Sequence, residues 1–187
     1  MSDPKPSRRN DARTVRSRLA LRQALLALIG QKPFEQISIR DITTAAGVSY
    51  PVFFRQFSSP QELLADIAAD EIHALLSLPF LAPHESALGI CRHVHERRPL
   101  WTALLTAGAA SAMRGEFIRT AKEITGRRGR INPWLPIDLT PAVTVSALFE
   151  ILAWWLAQPE DYPIERVARY IEVLVIEPVA RPQPSES

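Results

Sequence analysis

The sequence predicts an all-α protein: a small N-terminal three-helix unit built around a helix-turn-helix, followed by a larger helical body. Three observations predict it. Apolar residues recur near the 3.6-residue period in one segment after another, with no convincing strand and no internal repeat. Helix start and stop signals flank those segments, notably at Ser38, Gly47, Ser59-Pro60 and Thr140-Pro141. Between Ile37 and Phe57 two of the segments are too short to stand alone and meet at one glycine.

Residues 1–12 (MSDPKPSRRNDA) read as a disordered basic arm, because proline, serine and charge leave nothing to bury. A first helix is expected from about Thr14, with Val15, Leu19, Leu25, Leu28 and Ile29 on its apolar stripe and Leu21 and Leu26 widening it. Gly30 ends it. Ser38 opens the second helix, and Asp41 three residues later makes a variant of the capping box. Ile39, Ile42 and Ala46 form its apolar face. Gly47 supplies the left-handed residue of the turn. Ser49 is a good N-cap for the third helix. With Pro51 at the second helical position, the capping hydroxyl is expected to take the N–H of Val52. Ser59-Pro60-Gln61-Glu62 is a strong start signal for a fourth helix, which runs to about Ser77.

The body reads as helices over about 85–97, 99–106, 110–127, 140–157 and 163–176, with a loop at 128–139 and a polar tail at 178–187. The segment 140–157 is apolar nearly all round, which means burial on most sides. The domains are therefore expected at 13–58, the helix-turn-helix unit, and 59–177, the body.

Composition narrows the function. Apolar residues are 47% of 187, enough for a core, and the single Cys91 suits a reducing cytoplasm. No signal peptide is read at the start. No transmembrane span is expected, since Arg22 and Glu150 interrupt the longest apolar stretches. Residues 1–60 hold ten Lys/Arg against four acids, a charge of +6. The whole chain is +2, so the remainder carries −4. A basic front end on a mildly acidic body, with a helix-turn-helix inside the basic part, points to double-stranded DNA. Cys91, His93 and His95 suggest metal or nucleophile chemistry at first sight. On a helix, however, Cys91 and His95 share a face while His93 points away, so no three-ligand site forms. No cofactor motif is present, and an enzyme is not expected.

The order PFEQISIRDITTAAGVS, then FFRQF, then SSPQELL resembles the DNA-binding domain of the TetR family of bacterial transcriptional regulators. The resemblance spans about Thr14 to Leu76, roughly a third of the chain. Ala46-Gly47-Val48-Ser49 followed by Phe54-Arg55 and Phe57 is its most specific part. The sequence departs from the family at three places. Tyr50-Pro51 stands where a Lys-Gly pair is usual, Phe54 where a phosphate-binding tyrosine is usual, and Pro60 where a lysine is common. Arg8, Arg9, Arg13, Arg16 and Arg18 are expected to compensate for the lost cationic contacts.

The DNA-facing residues expected are Ser38, Arg40, Thr43 and Thr44 before the turn, and Ser49, Tyr50, Pro51, Val52, Phe54 and Arg55 after it. Phe53 and Phe57 should pack inward with Val48. Base readout would lean on Tyr50 and on contact of Pro51 and Val52 with thymine methyls, and Arg40 and Thr44 would take phosphates or flanking bases. One short helix reads few bases, so a homodimer on a palindromic operator is expected, with half-sites about 34–36 Å apart or a multiple of that. The resemblance implies dimerisation through the last two helices, assigned to Leu148, Ile151, Leu152, Trp155, Val167, Ile171 and Leu174. It also implies a small-molecule effector held by the body, with Trp101, Met113, Phe117, Trp134, Phe149 and Trp154 as lining candidates. The reading is a cytoplasmic repressor released by its ligand. The alternative is a TetR-like helical dimer with weak or lost DNA binding, acting in ligand sensing or interaction.

Overall fold

The computed structural model describes residues 8–79, 82–106, 110–128 and 135–180. The described residues form helices and connecting turns, with no strand among them. The chain divides into two compact units, to Ile67 and from Ala68, so the division falls inside the fourth helix.

The first unit is made of α1 (Arg8–Ile29), a 3₁₀ turn (Phe34–Gln36), α2 (Ile39–Ala46), α3 (Tyr50–Phe54) and the start of α4 (Pro60–Leu76). Helix α1 begins at Arg8, six residues earlier than the sequence suggested. In sequence, residues 8–12 hold no apolar side chain apart from Ala12, but Arg and Ala are good helix formers and extend the helix. The buried stripe of α1 is Leu21, Ala24, Leu25 and Ile29. Val15 and Leu19, expected on that stripe, are 57% and 51% exposed, so the packed part of α1 starts near Leu21. This stripe packs on α2, and Phe34, Ile37, Ile42, Phe53, Phe57, Leu63, Leu64 and Ile67 complete the core.

Three ion pairs tie this unit together. Arg18 and Arg22, one turn apart on α1, both donate to the Asp66 carboxylate of α4, with Arg22 at 2.6 Å and also on the Asp66 carbonyl at 3.1 Å. Burial works against the charged carboxylate, but the two guanidinium donors outweigh it and hold its pKa below the usual value. Lys32 Nζ reaches Asp41 at 2.8 Å.

The second unit contains α5 (Pro83–Glu96), α6 (Arg98–Thr106), α7 (Ala110–Arg128), α8 (Leu139–Leu156) and α9 (Ile164–Ile171). A π-helical turn (Glu172–Ile176) and α10 (Glu177–Ala180) follow α9. Helix α5 packs on α9, and α8 packs on α6, α7 and α9. By length and composition α8 is long and apolar enough to cross a membrane, despite Glu150 within it. One face of it carries the core of this unit instead: Val145, Leu148, Phe149, Leu152, Trp155 and Leu156 are buried. Arg98 ties down its C-terminal end, donating to the carbonyls of Trp155, Leu156 and Gln158 at 3.2, 3.1 and 2.7 Å, with its guanidinium over the Trp155 ring. The Trp155 and Leu156 carbonyls belong to the last turn of α8, whose carbonyls lack i+4 partners within the helix, and a cation there also complements the helix dipole.

Candidate nucleic-acid interface

The turn between α2 and α3 is built as its residues dictate. Ser38 Oγ accepts the Asp41 N–H at 3.1 Å while the Asp41 carboxylate accepts the Ser38 N–H at 3.0 Å, a complete capping box. The Lys32 contact, with both Ser38 bonds, lowers the Asp41 pKa to about 2. Gly47 closes α2 at φ 63°, ψ 31°, and the Gly47 and Val48 N–H groups return to the carbonyls of Thr44 and Thr43. The left-handed geometry is one an L side chain resists. Helix α4 is capped one residue out of register: Ser59 Oγ accepts the Glu62 N–H at 3.2 Å, but the Glu62 carboxylate returns to the N–H and Oγ of Ser58. Ser49 makes no side-chain cap on α3. The Val52 N–H donates instead to the Ser49 carbonyl at 2.9 Å, a tight i to i+3 bond that leaves the hydroxyl without that donor.

Helix α3 is held from below. Phe53 is fully buried, Phe57 nearly so, and their rings lie 6.1 Å apart. Above them the outward side carries Tyr50 (52% exposed), Pro51, Phe54 (50% exposed) and Arg55, with Val52 half-buried. The Tyr50 and Phe54 rings meet edge-on at 5.2 Å, and Phe53 braces Phe54 at 5.6 Å. On α2, Arg40 and Thr44 are exposed, as are Ser38 and Ser49 at the flanking caps. Among the described residues neither Arg40 nor Arg55 is held in an ion pair.

Two expected contacts are redirected. Thr43 is 5% exposed and its hydroxyl donates to the carbonyls of Ile39 and Arg40 within α2, so it faces the core and not a ligand. Arg18, expected to compensate for missing cations, is held by Asp66 and lies over the Phe57 ring at 5.1 Å. Arg13 and Arg16 of α1 are exposed, and Arg16 Nε donates to the Ala12 carbonyl one turn back.

In the second unit the proposed lining residues separate. Trp101, Met113, Phe117 and Phe149 are buried, with Phe117 and Phe149 edge-on at 5.1 Å across α7 and α8. Trp154 is not with them. It is 44% exposed on the other side of α8, against Tyr162 and Tyr170 at 5.4 and 5.9 Å. Trp134 lies outside the described residues.

The residues assigned to dimerisation divide in the same way. Leu148, Leu152, Trp155, Val167 and Ile171 are buried inside the subunit, because α8 and α9 use that face against α5, α6 and α7. Of the seven, Leu174 is 62% exposed and Ile151 half-buried. The exposed large apolar residues of α8, α9 and the π-helical turn after it are Leu139, Val143, Trp154, Tyr170, Val173 and Leu174.

Cys91, His93 and His95 also part company. Cys91 is buried, and its thiol is pushed up to about 12 by that burial and by Glu165. His93 Nε2 pairs with Glu71 at 2.9 Å, and His95 stacks on Trp155.

A capped short helix, a glycine turn and a second short helix with a solvent-facing side define a helix-turn-helix DNA-binding domain. Residues 21–67 match the family described as bacterial regulatory proteins, tetR family. Residues 21–67 thus form a DNA-binding domain of the tetR-family type. Similar solved structures cover most of the chain. A TetR transcriptional regulator from Streptococcus agalactiae is 20% identical, with 89% of this chain and 97% of that one covered and a TM-score of 0.63. The fatty acid degradation regulator FadR from Bacillus halodurans is 12% identical, covering 94% and 97%, at 0.59. The repressor AlkX from a Dietzia species is 18% identical, covering 88% and 97%, at 0.57. At these identities the likeness is one of fold. A search of curated proteins finds no match.

Proposed function

We propose that the chain is a homodimeric transcriptional repressor of the cytoplasm that binds a palindromic operator through α3 and leaves it when a small molecule enters the second unit. The observation that carries the reading is the exposure of Tyr50, Pro51, Phe54 and Arg55 on α3 and its C-cap, with Val52 half-buried, together with exposed Arg40 on α2. That is the arrangement of a reading helix with flanking phosphate contacts. Ser38, Thr44 and Ser49 are assigned to the same surface.

Repression is favoured by relatives of the same fold that are repressors by name, AlkX and NalD, although another, DhaS, is by name an activator. The effector site is assigned to the buried residues Trp101, Met113, Phe117 and Phe149. Trp101 Nε1 is buried without a protein acceptor, a donor that a ligand atom or a water would satisfy. The dimer is assigned to the outward face of α8 and the α9 segment, centred on Trp154 and Leu174 with Ile151 at its margin. The role is regulatory and not catalytic: Cys91 is sealed as a thiol and His93 is paired with a carboxylate.

A second reading is favoured by one observation: the outward side of α3 carries a single hydrogen-bonding side chain besides Arg55, the Tyr50 hydroxyl. On that reading the dimer senses a ligand and binds DNA weakly. In-vitro selection from random double-stranded DNA separates the two. An enriched palindrome supports the repressor, whereas salt-sensitive binding with no preferred sequence overturns it.

A further inference from the structure

We infer that α3 selects its operator by the C5 methyl groups of thymine, gripped by the Tyr50–Phe54 aromatic pair, and not by a hydrogen-bond code. The inference rests on the DNA-binding reading above and names the chemistry of that same surface.

The argument begins with what α3 lacks. Of its five residues, Phe53 is buried. The other four offer one side-chain hydrogen-bonding group between them, the Tyr50 hydroxyl, and Pro51 has no N–H to give. The forked amide and guanidinium groups that read adenine or guanine edges are absent from the helix, and Arg55 sits beyond its last residue as the C-cap. What α3 does present is apolar. Half of Tyr50 and half of Phe54 face solvent, with Pro51 and half-buried Val52 beside them.

The patch is also pre-organised. Tyr50 and Phe54 are four residues apart, so they share a face. Their rings are edge-on at 5.2 Å, Phe54 rests on Phe53 at 5.6 Å, and Phe53 rests on Phe57. Phe53 and Phe57 are core residues, so the exposed pair stands on a rigid base. A surface that is apolar, small and fixed fits a small apolar group.

The flanking charge says where that group comes from. Arg40 on α2 and Arg55 at the end of α3 stand on either side of the patch in sequence, and neither is engaged in an ion pair among the described residues. Exposed cations on the same two helices, outside any ion pair, suit a polyanion and argue against a lipid tail or a greasy peptide as the natural occupant. Of the four bases in the major groove of duplex DNA, only thymine shows an apolar group, its C5 methyl. The occupant is therefore the methyl edge of thymines in the half-site.

Deoxyuridine in place of thymidine removes that methyl and nothing else. The test uses the full chain and the site recovered by selection from random DNA. Each thymine is replaced singly by deoxyuridine, and affinity is read by fluorescence anisotropy at fixed salt. At one or more positions in each half-site, replacement should weaken binding about fourfold, the transfer value of one buried methyl-sized group. In Phe54→Ala or Tyr50→Ala the penalty at the contacted position should vanish, as the coupling of a double-mutant cycle requires. Tyr50→Phe should keep it.

An enriched site indifferent to deoxyuridine at every position overturns the inference and leaves the regulator reading standing. Loss of the preference in Tyr50→Phe also overturns it, because the hydroxyl would then be the reader. Failure to enrich any site overturns the DNA-binding reading and this inference with it. The deoxyuridine series on the unaltered protein decides whether methyls are read even if the alanine variants fold poorly, and Phe54→Leu, which keeps an apolar side chain without the ring, then decides whether the aromatic pair is the reader: an unchanged penalty in it overturns the assignment to the pair.

Discussion

The sharpest test of the assembly is Leu174→Lys. Leu174 is the most exposed large apolar residue of the described chain, at 62%, and it lies on the face assigned to the partner subunit. Fully burying a leucine side chain is worth about 1.5–3 kcal/mol, so covering the exposed part of Leu174 is worth about 1–2 kcal/mol. A twofold dimer contains the residue twice, because each subunit presents the same patch. The substitution therefore removes about 2–4 kcal/mol, before the cost of stripping water from two lysines, and raises the dimer dissociation constant about 30- to 700-fold at 1.4 kcal/mol per decade. Sedimentation equilibrium over a range of concentrations reads this directly, with far-UV circular dichroism confirming that the subunit stays folded. Val167→Lys is the contrasting variant. Val167 is fully buried within the subunit, so its replacement should unfold the chain and not merely dissociate it. A folded Leu174→Lys protein that dimerises within threefold of the parent would refute the assignment of this face.

Three further outcomes follow from the first unit and from the lone cysteine. Phe53→Ala should lower the unfolding free energy by about 3–5 kcal/mol and Phe54→Ala by about 1 kcal/mol in urea titrations, since one ring is wholly buried and its neighbour half exposed. Equal losses would mean that α3 is rotated from the position described. The folded-state pKa of Asp41 lies at about 2, below its unfolded value near 4, so its stabilising contribution is complete above about pH 4 and is lost as pH falls towards 2. Asp41→Asn should therefore unfold at a lower urea concentration than the parent at pH 6, with the gap closing in acid, and a gap that stays constant with pH would count against the pairing. Cys91, buried with its thiol pushed up to about 12, should resist an exposed-thiol reagent at pH 8 in the native protein and react at once in denaturant. Rapid native labelling would show that α5 opens far more readily than its packing implies.

Much of the interface could be read from the residues, because local rules decide local structure. Ser38 three residues before Asp41 permits one reciprocal pair of bonds, and that pair forms. Gly47 at the corner takes the left-handed geometry that its position demanded. Phe53 and Phe57, four apart, had to share a face, and both are buried. The sequence was less informative wherever a group had two partners to choose from. Ser49 was a sound N-cap by type, but a tight bond from Val52 to its carbonyl was available and displaced the side chain. Arg18 looked like a cation for phosphate, yet Arg22 one turn on and Asp66 across on α4 made a nearer use for it. The sequence places Asp66 48 residues away and gives no sign that the two meet.

Helix α8 shows the deeper limit. Amphipathic periodicity tells which face is buried only when the opposite face is polar. From Val143 to Leu156 nearly every position is apolar, so periodicity could not separate the face that fills the subunit core from the face left outward. Leu148, Leu152 and Trp155 had the look of a dimer seam, with the three-, four- and seven-residue spacings of one stripe. They are that stripe, but turned towards α6 and α7. Neighbouring helices settle the choice: α9 carries Arg166 and Arg169 outside and Val167 and Ile171 inside, and the packing of its inner face against α5 and α8 fixes which stripe of α8 is left over. That remainder, Val143 and Trp154 with Tyr170, Val173 and Leu174, has no polar explanation within one subunit. A stripe of this kind, on a chain proposed to read both halves of a symmetric DNA site, is best accounted for by a second copy of itself.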